Sequence, residues 1–375
     1  LPRRAGGAAR HARGVTVGAR AAGARRARRR ARARAALERA QQGEEVEAAP
    51  LLERLQQVRR LGEDTALTMA TVTSQEVAIA VTNVMRAVPV NQLGLGEKIR
   101  LNFARWWEFL STEPREANTE GGIFPALFGT ALMVFLMTFA VVPLGVVTAV
   151  YLNEYARGGW LTRAVRLALA NLAGVPSIVF GAFGLAFFVY AVGGSIDRLF
   201  FADTLPTPTF GTGGILWASL TLALLTVPVV VVATEEGLQA VPDATRDGAR
   251  ALGATRWQTL RHVVLPYAAP GILTGTILAV ARAAGEVAPL MLTGVVKLAP
   301  ALPLDSTPPY LHLERKFMHL GFHIYDVGFQ SPNVEAAKPM VYATTLVLLA
   351  LVVVLNLLAI ALRARLRRHL SRSAV

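Results

Sequence analysis

The sequence predicts an all-α membrane protein, a polytopic bundle of helices. Three observations carry that prediction. Several apolar runs are long enough to cross a bilayer, which takes roughly 20 residues at about 1.5 Å rise each. Hydrophobic residues make up 53% of the 375, and the mean hydropathy is positive. Glycine and proline recur inside the apolar runs, where neighbouring helices can satisfy the backbone groups they free. The chain has no cysteine, which excludes disulfide frameworks, thiolate metal sites and cysteine nucleophiles.

Residues 1–49 form a low-complexity tail of Ala, Arg and Gly. Thirteen arginines against the single acid Glu38 in residues 1–39 supply twelve of the fourteen net positive charges. Basicity of that kind suggests nucleic acid or anionic lipid. No aromatic interleaves the arginines as a stacking platform would require, so nucleic acid is not an expected partner. No apolar run follows the charges as in a signal peptide. Residues 50–120 read as an extramembrane segment. Within it Pro50–Arg60 has the pattern of a short amphipathic helix, and Thr65–Val90 is too polar for a span. Trp106 and Trp107, beside Arg105 and Glu108, suit either a membrane interface or a soluble core.

Five spans follow by hydropathy: about Ile123–Val150, Leu167–Val192 with Pro176 inside it, Ile215–Ala233, Gly271–Leu292 and Val341–Leu362. The positive-inside rule sets their direction. Asn153–Arg166, Thr234–Pro266 and the C-terminal tail are Arg-rich and fall on one side by alternation, so they are expected to be cytoplasmic. Residues before Ile123 then lie outside, although their arginines resist translocation. A sixth span, missing at the N-terminus, would resolve this; the alternatives are an artefactual tail, or a tail that stays inside because part of residues 65–110 re-enters the membrane.

The polar segment Thr234–Pro266 has its own local code. Pro242-Asp243 starts a helix that runs to Leu252, and Gly253 is placed to end it in the left-handed conformation. Thr255 can cap a second helix, ending before Pro266. Gly248, Ala249 and Ala251 are small enough for a partner backbone to approach, and Arg246 and Arg250 can meet acids on that partner. An ordinary interfacial amphipathic helix is the alternative.

In the following span, Arg282 sits where an isolated cation costs about 2.5–3.5 kcal/mol to insert. Glu286, four residues on, is expected on the same helix face and within pairing reach. One reading is a structural ion pair closing the bundle. The other is an oxyanion site, with the planar fork of Arg282 as the anion donor and Glu286 as its counter-ion when no anion is present. His312, Glu314, His319 and His323 lie together in the loop after this span, but without an HExxH arrangement they make a weak metal motif, and a short surface helix is the simpler expectation. There is no GxxxxGK[ST] loop for ATP and no GxSxG elbow.

Asp247–Gly253 (D-G-A-x-A-L-G), followed by Val263–Pro266 (V-x-L-P), resembles the EAA loop of ABC importer permeases. Here Asp247-Gly248-Ala249 stands for the usual Glu-Ala-Ala, keeping the acid and adding flexibility. Gly121–Thr130, Pro143–Ala156, Ala173–Gly181, Ile277–Met291 and Phe317–Asn333 are similar to the phosphate importer permeases of the PstA type. The resemblance covers about residues 121–368, and it implies a permease domain there with a coupling loop at 234–266 and a cytoplasmic tail at 369–375. It also implies a multi-pass inner-membrane subunit that is not itself an enzyme. Asp247, Gly248, Ala249, Gly253, Arg246 and Arg250 would couple to a separate ATPase, and Arg282 and Glu286 would line a phosphate path. The implied partners are that ATPase, which holds ATP and Mg, a second permease of the PstC type and a periplasmic phosphate-binding protein. The segment before the first span would be periplasmic. Neither cofactor nor metal is expected in this chain. A permease for molybdate or sulfate is the near alternative, and a passive channel or membrane-embedded enzyme the distant one.

Overall fold

The computed structural model describes residues 50–372 other than 51–52, 55, 59, 61–64, 71–75, 82–83, 85–87, 116–117, 119, 157 and 332–333. The Arg-rich tail at 1–49 and the last three residues of the C-terminal tail lie outside the described residues. By contacts the chain divides into two compact units, Leu1–Lys98 and Ile99–Val375.

The first unit holds an antiparallel hairpin of β1 (Ala66–Ala70) and β2 (Glu76–Ala80), which an all-helical expectation does not contain. Leu67 faces Ile79 and Met69 faces Val77, so the apolar residues alternate with period two and pair across the strands. Helix α1 (Leu95–Ser111) crosses the boundary between the units and has no buried residue. Trp106 and Trp107 are both exposed, which removes the soluble-core reading of that pair. Its far end joins the bundle: Ile123 N–H donates to Phe109 O at 2.8 Å and Phe124 N–H to Thr112 O at 3.1 Å. The two-residue strands β3 (Pro114–Arg115) and β4 (Glu120–Gly121) close the turn between them.

The second unit is the membrane bundle, with five helices long and apolar enough to cross a membrane. Helix α2 (Phe124–Tyr155) is the first, and its last turn, Tyr151–Tyr155, widens to a π-turn. Helix α3 (Trp160–Gly174) buries no residue and precedes α4 (Ser177–Phe200), the second span. The expected span from Leu167 is therefore corrected. Val175 and Pro176 are extended, because the pyrrolidine of Pro176 disfavours the helical conformation of the residue before it. Leu167–Gly174 belongs to the amphipathic helix before the break.

Helix α5 (Ile215–Gln239) is the centre. Of its most apolar stretch 67% is buried, against 22–33% for three of the other spans and 6% for the last. Met133, Met137 and Val141 of α2 pack on Leu222, Leu225 and Val230 of α5. Helix α6 (Asp243–Ala251) and then α7 (Arg256–Gly285) follow, and Ala279, Ala283 and Ala284 of α7 fill the other side of the same core. α5 and α7 approach closely at their glycines: a Cβ on Gly271 would lie 2.6 Å from the Gly237 Cα. Small residues at such a crossing let backbones touch where lipid supplies no hydrophobic drive.

The sequence places a helix end before Pro266, yet α7 runs through it. The turn Leu260–Val264 is a π-turn, in which Leu265 N–H reaches back five residues to Leu260 O. That widened turn is a known way for a helix to accept the missing N–H and ring of a proline. Helix α8 (Ala288–Thr293), helix α9 (Leu320–Tyr325) in the following loop, and helix α10 (Val334–Arg372) complete the unit.

Candidate functional site

Two sites stand out, one at the Arg-rich end of the bundle and one part-way along it. At the Arg-rich end, α6 and the start of α7 follow their sequence code. Gly253 takes φ +84°, Gly253 N–H donates to Arg250 O at 2.9 Å, and Ala254 N–H reaches Ala249 O at 3.2 Å. That is the pattern of a left-handed glycine stop. Thr255 and Gln258 form a reciprocal capping box, with Gln258 N–H on Thr255 Oγ1 at 3.3 Å and Thr255 N–H on Gln258 Oε1 at 2.8 Å.

α6 buries no residue. Leu252 is 91% exposed, and an added Cβ on Gly248 would meet nothing within 4 Å. Asp247 and Arg250 pair with each other at 3.4 Å on this open side. Arg246 does not join them, which corrects the expectation that it meets a partner's acids. Its guanidinium turns inward to Glu154 at 3.1 Å, with both side chains about 85% buried, and donates from Nη2 to Leu238 O at 2.6 Å. Arg246 thus pins α6 to the foot of α2 and the end of α5. A second bridge, Arg166 to Glu235 at 3.2 Å, ties α3 to α5 at the same end. Glu154 and Glu235 are site residues the sequence reading missed. Glu154 is the only acid in an otherwise Arg-rich loop, a usable signal, but its partner lies far away in sequence.

The second site is a break in the fourth span. α7 stops at Gly285, Glu286 is extended (φ −77°, ψ 134°), and α8 restarts at Ala288 with Pro289 in its first turn. Two expectations change. Arg282 is in the last turn of its helix, and Glu286 is beyond that helix, not on its face. Gly285 and Pro289 are the stop and start signals that hydropathy reads through. The pair nevertheless forms, with Arg282 Nε 3.6 Å from Glu286 Oε1. A cation in a C-terminal turn also meets the partial negative charge of the free carbonyls there.

The depth of the break follows from packing. Gly271 meets Gly237, Gly275 meets Ala233 and Val230, and Gly214 N–H donates to Thr293 O at 3.0 Å. α7 and α8 therefore run antiparallel to α5 in steady register, which sets Arg282 opposite about Leu225, within a turn of the middle of α5. Neighbouring Ala283 and Ala284 are buried against α5, whereas the side chains of Arg282 and Glu286 are 37% and 20% exposed. The pair faces out of this chain's own core.

At the end opposite the arginines, the four residues weighed for a metal separate into two groups. His312 pairs with Asp305 at 3.1 Å and Glu314 at 3.2 Å. The Thr307 hydroxyl, and then the Arg315 guanidinium, hold the Asp305 carboxyl well below the usual carboxylate range. His319 and His323 are buried, so the short helix α9 is not the surface helix expected. His319 Nδ1 accepts from Gly321 N–H at 3.1 Å and caps that helix. Burial pushes His319 down to about 3 and His323 down to about 4. At His323 the Asp326 carboxylate opposes the shift and Lys297 adds to it. Among the described residues no group of three or more His, Asp or Glu side chains is arranged to hold a metal.

The chain is similar to several known proteins. Residues 141–372 match the family described as binding-protein-dependent transport system inner membrane component. The phosphate transport system permease protein PstA 1 of Mycobacterium tuberculosis is 37% identical over 186 residues, covering 50% of this chain and 55% of that protein. The chain thus spans about half the length of that relative. The probable ABC transporter permease protein YqgI of Bacillus subtilis is 32% identical over 226 residues, covering 59% of this chain and 70% of that protein. Among solved structures, an inward-facing MetNI methionine ABC transporter is similar at TM-score 0.47 and 18% identity, over 64% of this chain and 94% of that one. With the family matched across four of the five spans and the segment between them, this chain belongs to the binding-protein-dependent transport system inner membrane components, as a multi-pass helical protein of the inner membrane.

Proposed function

We propose that this chain is the permease subunit of an ATP-driven phosphate importer of the PstA type. The observation that carries the reading is the Arg282–Glu286 pair at the broken end of α7, at mid-depth and still 37% and 20% exposed. An ion pair left partly open at that depth is costly against lipid, so it lines a water-filled or partner-lined path. The similarity to phosphate permeases supports phosphate as the solute.

In this reading a second permease subunit, of the PstC type, covers the face that carries Arg282. A periplasmic binding protein delivers phosphate, and a separate ATPase, holding ATP and Mg, docks from the cytoplasm on Asp247, Gly248, Ala249, Arg250 and Gly253. Arg282 offers two parallel N–H donors to the phosphate oxygens. Glu286 and the carbonyl end of α7 limit how long the anion stays. Motion of α6 passes through Arg246–Glu154 to α2 and through the backbone to α5, rocking the bundle between outward- and inward-open states.

The test is ATP hydrolysis by the complete complex in proteoliposomes, with binding protein and phosphate, comparing wild type with Arg282→Ala. Phosphate is expected to stimulate the wild type. The variant is expected to assemble and to lose that stimulation together with uptake. Stimulation by molybdate or sulfate instead would move the substrate assignment, and hydrolysis indifferent to this chain would overturn the importer reading.

A further inference from the structure

A cavity of about 170 Å³ lies between the last turn of α2, the C-terminal end of α6 and the first turns of α7. Glu154, Tyr155, Arg250, Arg256, Thr259 and Leu260 are among its lining residues. One water takes about 30 Å³ of liquid volume, so the space suits a group of several heavy atoms. Its charge is unbalanced. Glu154 Oε1 is already engaged by Arg246 at 3.1 Å and by Asn153 Nδ2 at 3.2 Å. Among the described residues Arg250 pairs only with the exposed Asp247 at 3.4 Å, a pair of the kind that contributes little. Arg256 has no ion-pair partner among the described residues. Two guanidiniums therefore face a carboxylate that is already neutralised.

The surroundings narrow the ligand. Tyr155, which lines the cavity, is 43% exposed, and Trp257, next in sequence to the lining residue Arg256, is 58% exposed, aromatics of the sort found at headgroup level. Planar guanidinium forks on two helices match the oxygens of a phosphate. We propose that this cavity binds a phosphate group, that of an anionic phospholipid headgroup or of inorganic phosphate, and that its occupancy bridges Arg250 of α6 to Arg256 of α7. Binding there would lock the coupling helix against the foot of the fourth span, so the local lipid or phosphate concentration would set how freely α6 moves. The proposal uses neither Arg282 nor the identity of the transported solute.

The experiment uses the full chain in nanodiscs, wild type against Arg256→Gln. For the lipid source, native mass spectrometry compares retained phosphatidylglycerol with phosphatidylcholine. Preferential retention is expected in the wild type and a drop of about tenfold in the variant, the loss of one charge-assisted contact. For the free-anion source, inorganic phosphate is titrated into phosphatidylcholine nanodiscs of the Arg282→Ala chain, which removes the mid-membrane site. A rise in Tm that Arg256→Gln abolishes identifies inorganic phosphate. Arg256→Lys keeps the charge without the fork and is expected to fall between the two, which also serves if the glutamine variant fails to fold. A folded wild type with no preference for phosphatidylglycerol and no response to phosphate overturns the proposal. So does an Arg256→Gln or Arg256→Lys chain that behaves as wild type.

Discussion

Arg246 shows how much a single side chain's direction decides. Its bridge to Glu154 is about 85% buried on both sides, and its Nη2 also holds Leu238 O. Removing one partner of such a pair leaves the other charge buried, at a cost of about 3 kcal/mol, whereas replacing both by apolar residues is often neutral. Arg246→Ala is therefore expected to lower the unfolding temperature of the purified chain clearly, and Glu154→Leu with Arg246→Met to recover most of the loss. A double variant as unstable as the single one would show that the bridge is not the cause. In sequence Arg246 and Arg250 look alike, one helical turn apart on one polar segment. The difference between an internal strut and an exposed contact comes from Glu154, which is brought beneath α6 only when α2 and α5 pack.

At the scale of an element, two glycines in neighbouring helices predict opposite outcomes. Gly271 sits where a Cβ would lie 2.6 Å from Gly237 Cα and 3.0 Å from Ala233 O, and backbone atoms cannot give way. Gly271→Ala is expected to cost about 1–3 kcal/mol by forcing α5 and α7 apart. Gly248 has open space around it within α6, so Gly248→Ala is expected to stabilise that helix by roughly 0.5–1 kcal/mol. Thermal unfolding of both variants, alongside helix content by circular dichroism, separates the two. Equal effects of the same sign would contradict the packing described. The ends of these elements were readable to different degrees. Gly253 and the Thr255–Gln258 box act through atoms within one turn, so they follow from local sequence. Pro266 does not stop its helix, because a π-turn one step earlier absorbs it. Gly285 does end one in the middle of an apolar run, where hydropathy averages over the break.

For the molecule as a whole, the buried histidines of the loop opposite the arginines make stability depend on pH. His319 and His323 are neutral when folded, with values pushed down to about 3 and about 4 from an ordinary 6.5. The unfolded chain therefore takes up protons first. The contribution is complete above about pH 6.5 and is lost as pH falls toward 4 for His323 and toward 3 for His319, at a limiting slope of about 1.4 kcal/mol per unit for each histidine. Protonation at Nδ1 would also remove the acceptor that His319 offers Gly321 N–H. The unfolding temperature is expected to fall between pH 7 and pH 5. A variant with His319→Asn, which keeps a capping acceptor, and His323→Phe is expected to show a flatter profile. Unchanged pH dependence in that variant would assign the effect to other groups. The two histidines stand four apart among the apolar Phe317, Met318, Leu320 and Phe322, and the packing of α9 against α2 and α10 takes them out of water.

By itself the sequence determined what depends on neighbours a few residues away or on composition over a span. That includes a helical membrane protein with five apolar runs, the glycine stop and capping box of the coupling segment, and the family those motifs resemble. Hydropathy works here because every residue of a span meets the same lipid, and caps work because their hydrogen bonds close within one turn. The tertiary structure alone decided which helix is central, which arginine faces inward, where the fourth span breaks, and that a carboxylate and two guanidiniums from three helices enclose one cavity. Those outcomes depend on residues distant in the chain meeting at a few ångströms, a distance set only when the helices pack around α5.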